Sequence, residues 1–361
     1  MQNILRHLLA GTKGKTAAVC AAFAAILLLL GGCGLVNQDK NNTALGMEAL
    51  EALDYSGAAG YFEAALVADE DKQLAYRGQG MAYLGLAQYD DAIAAFEKAL
   101  AESNGSIHKL EYDISYYLAV AEYKSGDLDA AYNTYSAILN MNEKDGNGYY
   151  LRGKVALAKG QKDMALADFE KAVALQPDDY DMYILIYEDL TEAGYQSDGE
   201  AYISRAMKNN AKMSDYQLGI FNYYLGAYEE ARNYLEKARE SQDSEDMVLY
   251  LGRTYEALGD INYAVSLYTT YLDKNPESAA VYDQMGLAKL KLADYQGALA
   301  AFGNGIATGD TAYMQSLKFN EIVAYEYLTD FKKAAVQMEE YLKLYPDDEK
   351  ALREYEFLKT R

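Results

Sequence analysis

The sequence of 361 residues predicts a repeat protein, an array of about nine similar units that together fill most of the chain. Two observations predict this class. A small residue recurs at intervals of 32 to 39 residues, at positions Ala58, Ala92, Ala131, Ala165, Gly199, Ala231, Ala264, Ala298 and Ala334. A large apolar residue follows it four positions later in every unit, at Phe62, Phe96, Tyr135, Phe169, Ile203, Leu235, Tyr268, Phe302 and Met338. Four positions is about one helical turn, so the two residues share one helix face.

Glycine and proline occupy fixed positions in the same repeat. A glycine precedes the small residue by twelve positions in six units, at Gly46, Gly80, Gly153, Gly219, Gly252 and Gly286. All three prolines, Pro177, Pro276 and Pro346, follow the small residue of their unit by twelve positions. Because proline cannot continue a helix, we expect each proline to follow the end of one.

This pattern resembles the tetratricopeptide repeat family over roughly residues 40–345. The resemblance implies an all-α fold, an α-solenoid of about nine stacked helix-turn-helix repeats that forms a superhelix. Its repeats would occupy residues 42–346, and residues 347–361 would form a C-terminal capping helix. Glycine in the first helix and alanine in the second would let the two backbones approach closely, with the large residue beside them. The fifth unit is the weakest, since it has Gly199 where alanine is expected and Tyr187 where glycine is.

Residues 1–32 resemble a bacterial lipoprotein signal peptide. Three basic residues and no acidic residue come first, and residues 17–30 are apolar. Fourteen apolar residues are too few to span the hydrocarbon core of a membrane but suit a secretory signal. The tetrapeptide Leu30-Gly31-Gly32-Cys33 that follows resembles the lipoprotein box, in which the cysteine is acylated.

This resemblance implies that Cys33 is the lipidation site and that residues 33–41 form a lipid-anchored tether. The rest of the chain would then lie on the extracytoplasmic face of a bacterial cell membrane. The alternative is an uncleaved signal anchor over residues 17–36, which places the chain on the same side because the positive charge stays inside.

Composition argues against several classes of function. Lys and Arg number 33 against 55 Asp and Glu, giving a net charge of −22 that repels phosphate backbones, so we expect no nucleic-acid partner. Two histidines and two cysteines leave little room for a metal site, and we expect no cofactor. His108 is the single histidine outside the signal peptide, and it lies in an insertion between repeats, where we expect a solvated loop residue and not a catalytic base. We expect a protein that is not an enzyme.

Tyrosine is unusually frequent, with 36 tyrosines and no tryptophan. In the family that this sequence resembles, the first-helix face opposite the glycine lines the concave side of the array. The candidate groove residues at such positions are Tyr116, Tyr123, Tyr150, Lys154, Tyr216, Tyr223, Tyr224 and Arg253. A tyrosine ring offers contact area at low entropic cost, which suits a peptide groove. The alternative is that these rings pack between repeats.

These observations together predict a membrane-anchored extracytoplasmic scaffold without catalytic activity. It would bind partner peptides or proteins on a concave, tyrosine-rich surface. The alternative is a lipoprotein that binds solutes or glycans on tyrosine stacking platforms, although glycan sites favour tryptophan and enclosed pockets suit small ligands better than open grooves.

Overall fold

The computed structural model of the chain describes residues 41–103, 109–240 and 244–361. These residues form 19 α-helices, one short 3₁₀ turn and no strand, which confirms the all-α prediction. Cys33, the signal peptide, the residues of the tether before residue 41 and His108 lie outside the described residues.

The described residues divide into two compact units, one ending at Tyr202 and the other beginning at Ile203. The first unit contains α1 (Asn42–Glu51), α2 (Tyr55–Val67), α3 (Lys72–Gly85), α4 (Tyr89–Ala101), α5 (Lys109–Ser125), α6 (Leu128–Met141), α7 (Gly146–Ala158), α8 (Lys162–Leu175) and α9 (Tyr180–Glu192). Helix α10 (Gln196–Met207) carries the boundary. The second unit contains α11 (Asp215–Tyr224), α12 (Tyr228–Arg239), α13 (Glu245–Ala257), α14 (Ile261–Leu272), α15 (Ala279–Lys291), α16 (Tyr295–Ala307), α17 (Thr311–Tyr327), α18 (Phe331–Leu344) and α19 (Glu349–Leu358).

The first eighteen helices form nine consecutive pairs, and each pair is held together at the predicted small and large residues. All nine small residues and all nine large residues are buried. A methyl group placed on Gly80 would lie 2.5 Å from Cε1 of Phe96, and one on Gly286 would lie 2.2 Å from Cε1 of Phe302. Both distances are too short for a carbon atom, so a residue larger than glycine would force these helices apart. This close approach confirms the predicted contact between the two helices of a pair, which we call the seam.

The fifth pair differs from the others at two positions, with a tyrosine at the glycine position of the first helix and a glycine at the alanine position of the second. Tyr187 stands on α9 where the other units have a small residue, and it is buried. A methyl group on Gly199 of α10 would lie 3.1 Å from Cδ2 of Tyr187. Gly199 has no side chain and therefore leaves room on α10 for the ring of Tyr187 on α9.

Each pair is connected by the same tight turn. One residue of the turn has a left-handed backbone, with φ between 56° and 90°, and it always lies five positions before the small residue: Leu53, Ala87, Gly126, Gly160, Gly194, Gly226, Gly259, Ala293 and Thr329. The next amide then bonds back to the first helix, as when the Asp330 amide donates to the Tyr325 carbonyl at 3.0 Å. This geometry closes the helix end with a left-handed residue and starts the next helix at once.

The prolines end helices as predicted. Helix α8 ends at Leu175 before Pro177, α14 ends at Leu272 before Pro276, and α18 ends at Leu344 before Pro346. Helix α19 follows the ninth pair, and its Ala351 and Leu358 are buried in one cluster with Met338 and Tyr341 of α18.

Four of the nine left-handed turn positions carry a side chain that this conformation disfavours, and Thr329 is β-branched. We predict that Thr329→Gly raises the free energy of unfolding by about 1 kcal/mol, because glycine adopts this backbone without strain. The measurement is urea unfolding followed by circular dichroism. The reverse change in an equivalent turn, Gly259→Thr, is the matched control and should lower stability. Loss of stability in Thr329→Gly would contradict the assigned turn.

Candidate partner-binding surface

Side-chain bonds connect several consecutive first helices within each unit, as between α3 and α5 in the first unit and between α13 and α15 in the second. In the first unit we call this set the first-helix ladder, whose three rungs are Arg77 with Asp113, Tyr116 with Asp145, and Lys154 with Asp189. The partners in each rung lie 29 to 36 residues apart, or about one repeat. The ladder therefore joins equivalent surfaces of consecutive units, on the face where sequence analysis placed the groove.

The first rung crosses from α3 to α5. The Arg77 guanidinium lies 2.5 Å from Oδ2 of Asp113, and Asp113 is only 3% exposed. The same guanidinium lies 5.4 Å from the ring centroid of Tyr117, which adds a cation–π contact. The charges of Arg77 and Asp113 therefore neutralise each other, and neither is available to a ligand.

The second rung joins α5 to the start of α7. The phenols of Tyr112 and Tyr116 both donate to Oδ2 of Asp145, while Oδ1 of Asp145 accepts from the Asn147 amide and caps the helix. Burial, together with the Asp145 carboxylate, raises the pKa of Tyr112 to about 12 and raises the pKa of Tyr116 further. Tyr116 is 1% exposed. The prediction that Tyr116 lines an open groove is corrected, because its ring and hydroxyl serve the contact between repeats.

The third rung joins α7 to α9. Nζ of Lys154 lies 2.5 Å from Oδ1 of Asp189, and the Tyr150 hydroxyl donates to Oδ2 of Asp189 at 2.8 Å. Tyr150 is fully buried and its ring stacks on Phe169 at a centroid distance of 6.0 Å. Lys154 is buried as well. Tyr150 and Lys154 are therefore packing residues in this structure, and their assignment to an open groove is corrected on the same ground.

Tyr123 differs from these residues because it stays half-buried near the end of α5. Burial raises the pKa of its phenol, and the charges of Lys154, Asp189 and Glu192 act on it. The ring therefore lies where α5 approaches the last turns of α7 and α9. Of the four predicted groove residues in the first unit, Tyr123 is the one that keeps a substantial accessible surface.

The predicted residues of the second unit are all partly exposed. Tyr223 and Tyr224 belong to a tyrosine cluster, which we define as Tyr223, Tyr224, Tyr228 and Tyr250. The Tyr223 ring centroid lies 5.7 Å from those of its three partners, and the hydroxyls of Tyr224 and Tyr250 are 2.6 Å apart. Tyr216 packs, partly buried, against the core formed around α13 and α14.

Arg253 takes part in a second set of bonds between first helices. Its Nε donates to Oε1 of Gln284 on α15 at 3.0 Å, and Nε2 of Gln284 donates to Glu256 of α13 at 2.9 Å. Glu256 also accepts from Lys291 at 2.8 Å. The Arg253 side chain is thus held in place by an uncharged partner, and it remains partly exposed.

The candidate residues predicted from the sequence include one partner of most of these contacts and omit the other partner. Asp113, Asp145, Asp189, Glu256 and Gln284 were not among the candidate residues. A usable signal was present, because each lies on a first helix or at its N-cap, about one repeat from a basic residue or a tyrosine on a neighbouring first helix. No group of three or more His, Cys, Asp or Glu side chains within residues 41–103, 109–240 and 244–361 could hold a metal ion.

Sequence profiles of the tetratricopeptide repeat match residues 43–107, 83–155, 146–179 and 216–279, which together exceed half of the chain. The chain belongs to the tetratricopeptide repeat family. The nine helix pairs, most of which have a glycine at the contact between their helices, agree with this family assignment.

Individual relatives of this tetratricopeptide repeat protein are distant. It is 24% identical over 166 residues to the BBSome complex member BBS4 of Bos taurus, covering 45% of this chain and 32% of the relative. It is 23% identical over 249 residues to the repeat-containing protein MJ1428 of Methanocaldococcus jannaschii, covering 65% and 42%. The chain thus spans less than half the length of these relatives.

Among solved structures, a tetratricopeptide repeat protein from Parabacteroides merdae is similar at 14% identity, with a TM-score of 0.47. The match covers 68% of this chain and 97% of that structure. Within the part of the chain that the structure describes, no helix is both long and apolar enough to cross a membrane.

The third rung yields a stability prediction. Asp189→Asn leaves the Lys154 ammonium buried without a counter-charge, so we expect a loss of about 3 kcal/mol in the free energy of unfolding. The double variant Lys154→Met with Asp189→Leu removes both charges and should recover most of that loss, although it also removes the acceptor of the Tyr150 hydroxyl. Urea unfolding of the unaltered chain, Lys154→Met, Asp189→Leu and the double variant completes a double-mutant cycle that measures the coupling, and Asp189→Asn is measured beside them. Equal stability of Asp189→Asn and the unaltered chain would show that Lys154 is solvated.

Proposed function

We propose that this tetratricopeptide repeat protein is a non-catalytic scaffold, held at the extracytoplasmic face of a bacterial membrane, that binds segments of partner proteins on its first-helix face. The observation that carries the proposal is that aromatic side chains on this face are partly exposed and are held by neighbouring side chains. The tyrosine cluster of the second unit is the main example. Rings fixed before binding lose little entropy when a partner covers them.

The proposed surface is smaller than the one suggested by residue type alone. Each unit contributes its own candidate residues, which are Tyr123 in the first unit and Tyr216, Tyr223, Tyr224 and Arg253 in the second. Arg253 supports a protein partner in particular, because a guanidinium with an uncharged bond partner can still donate to backbone or side-chain oxygens. Tyrosine and arginine are the residue types enriched at the energetic centres of protein interfaces.

The anchoring part of the proposal rests on the sequence around Cys33. Charged start, apolar segment, two glycines and cysteine follow one another in the order of a lipoprotein signal. With a net charge of −22, attraction to anionic lipid cannot hold the protein, so the acyl group would supply the attachment. The absence of a nucleic-acid partner rests on the same charge and stays a prediction.

A glycan-binding function is the second candidate, and one observation favours it. The rings of Tyr295 and Tyr327 stack at 5.0 Å with planes 7° apart, and Tyr327 is 56% exposed. An exposed flat ring is a platform on which a sugar could stack. The two rings belong to the first residue of α16 and the last residue of α17, and neither is among the candidate groove residues.

The scaffold proposal predicts that Tyr223→Ala combined with Tyr224→Ala removes partner capture. Proteins cross-linked to the full-length chain in membranes are recovered and compared between variants by mass spectrometry. Tyr61→Ala is the matched control, because Tyr61 is an exposed tyrosine on a second helix. We expect a loss of at least tenfold in recovered partner for the double variant, with helical content retained. Unchanged capture, or a signal on a sugar array in place of a protein partner, would refute the proposal.

Lipid anchoring predicts that Cys33→Ala releases the mature-sized chain from the membrane. The Cys33→Ala substitution leaves the apolar segment of residues 17–30 intact, so an uncleaved signal anchor would still hold the protein in the membrane. Membrane fractionation with metabolic labelling by a fatty-acid analogue distinguishes the two. Retention of Cys33→Ala in membranes, together with no fatty-acid label on the natural chain, would establish the uncleaved anchor over residues 17–36.

A further inference from the structure

Asp283 on α15 is a half-buried carboxylate whose hydrogen-bond partners on the next first helix are uncharged. Its Oδ1 accepts from Nδ2 of Asn320 at 2.8 Å, and its Oδ2 accepts from Oγ of Ser316 at 3.0 Å. The Ser316 oxygen also lies 3.0 Å from the carbonyl oxygen of Tyr313. A hydroxyl has one proton to donate, so only the bond from Asn320 reaches the carboxylate without competition.

The charge of Asp283 is not neutralised within the protein. Among the residues that the structure describes, no lysine or arginine forms an ion pair with it. Arg253 is close enough for its charge to act on Asp283, but its Nε donates to Gln284 instead. Burial raises the pKa of Asp283 against the lowering effects of its two hydrogen bonds and of Arg253. The carboxylate is therefore partly removed from water without a bonded counter-charge.

Acids of the first-helix ladder have charged partners where Asp283 has none. Asp113 pairs with Arg77, and Asp189 pairs with Lys154. A carboxylate that leaves water without such a partner raises the free energy of the protein, and a cation that reaches it lowers that free energy again. Asp283 is thus a position at which a cation from outside the chain binds favourably.

The surface beside Asp283 on α15 is apolar. Leu287 and Leu290 follow it by four and seven positions, which places the three side chains on one helix face, and both leucines are partly exposed. Arg253 of α13 bonds the residue that follows Asp283, and Tyr250 of the tyrosine cluster is also on α13. A segment that crosses the first helices of the second unit from the tyrosine cluster therefore passes the carboxylate and then the leucines.

We propose that Asp283 binds one lysine or arginine side chain of the partner, in a segment whose neighbouring residues are apolar. This inference rests on the proposed scaffold function and adds the chemistry of the bound segment. The basic head group forms a charge-assisted pair with the carboxylate. The apolar stem of that side chain and the residues beside it cover Leu287 and Leu290, and Arg253 donates to a backbone carbonyl of the segment.

The test uses the full-length chain in detergent and a library of short peptides with acetylated and amidated ends, so that only side chains supply charge. Bound peptides are recovered and sequenced. We expect them to be enriched in a single Lys or Arg among apolar residues. Changing that residue to Gln in a selected peptide should weaken binding about tenfold, and high salt should reduce the difference.

Two variants of the chain assign the effect to its residue. Asp283→Asn removes the charge while keeping the size of the side chain, so it should abolish the preference for the basic peptide over its Gln counterpart. Asp273→Asn, at an exposed position after α14, makes the same change of charge and should preserve that preference. The net charge of −22 attracts any basic peptide, but this attraction is lowered equally in both variants and cannot produce a difference between them.

A cross-link locates the basic side chain on the unaltered chain, so it decides the question even where Asp283→Asn loses helical content. A selected peptide is prepared with lysine as its basic residue. A water-soluble carbodiimide joins a carboxylate to an amine in contact with it, and mass spectrometry identifies the two joined residues. We expect the lysine of the peptide to be joined to Asp283.

The failures are distinguishable. Bound peptides without a basic preference, or a preference that survives in folded Asp283→Asn, overturn the cation site while the scaffold function stands. Cross-links from the lysine to other carboxylates and none to Asp283 overturn it in the same way. Failure of every peptide to bind refutes both the peptide-binding surface and the site within it.

Discussion

The distance between the two helices of each pair is the constraint on which the rest of the structure depends. In most pairs a glycine in the first helix faces a ring or a branched side chain in the second, at a separation that excludes even a methyl group. The backbones are then fixed within a narrow range, and so is the spacing between consecutive first helices. Side chains that reach from one unit to the next, such as Lys154 to Asp189, depend on that spacing.

The first-helix face serves two purposes that compete for the same side chains. Contacts between repeats require polar groups that bond each other across a gap of fixed width, and Tyr116 and Tyr150 are bonded in this way. Partner binding requires groups that keep donors, rings or charge available. The second purpose therefore falls to residues that the ladder does not engage, such as Tyr123 in the first unit.

The seam could be predicted from sequence because it repeats, and nine examples of one pattern identify its members. The burial of Tyr116, Tyr150 and Lys154 could not be predicted in this way. Helical spacing gives the direction in which a side chain leaves its helix, but burial depends on the neighbouring unit and on an acid about one repeat away. The left-handed turn was within reach, since glycine occupies it in five of the nine pairs, at five positions before the small residue.

The turns are built alike in all nine pairs and the seams in most of them, whereas the rungs differ from one neighbour to the next. Arginine meets aspartate at the first rung, two phenols meet aspartate at the second, and a lysine with a phenol meets aspartate at the third. A shuffled unit would still fold into a helical hairpin, yet Lys154 would then lie opposite a surface without its acid. The order of the units along the chain is thus encoded in the polar bonds between them, while the hairpin itself is generic.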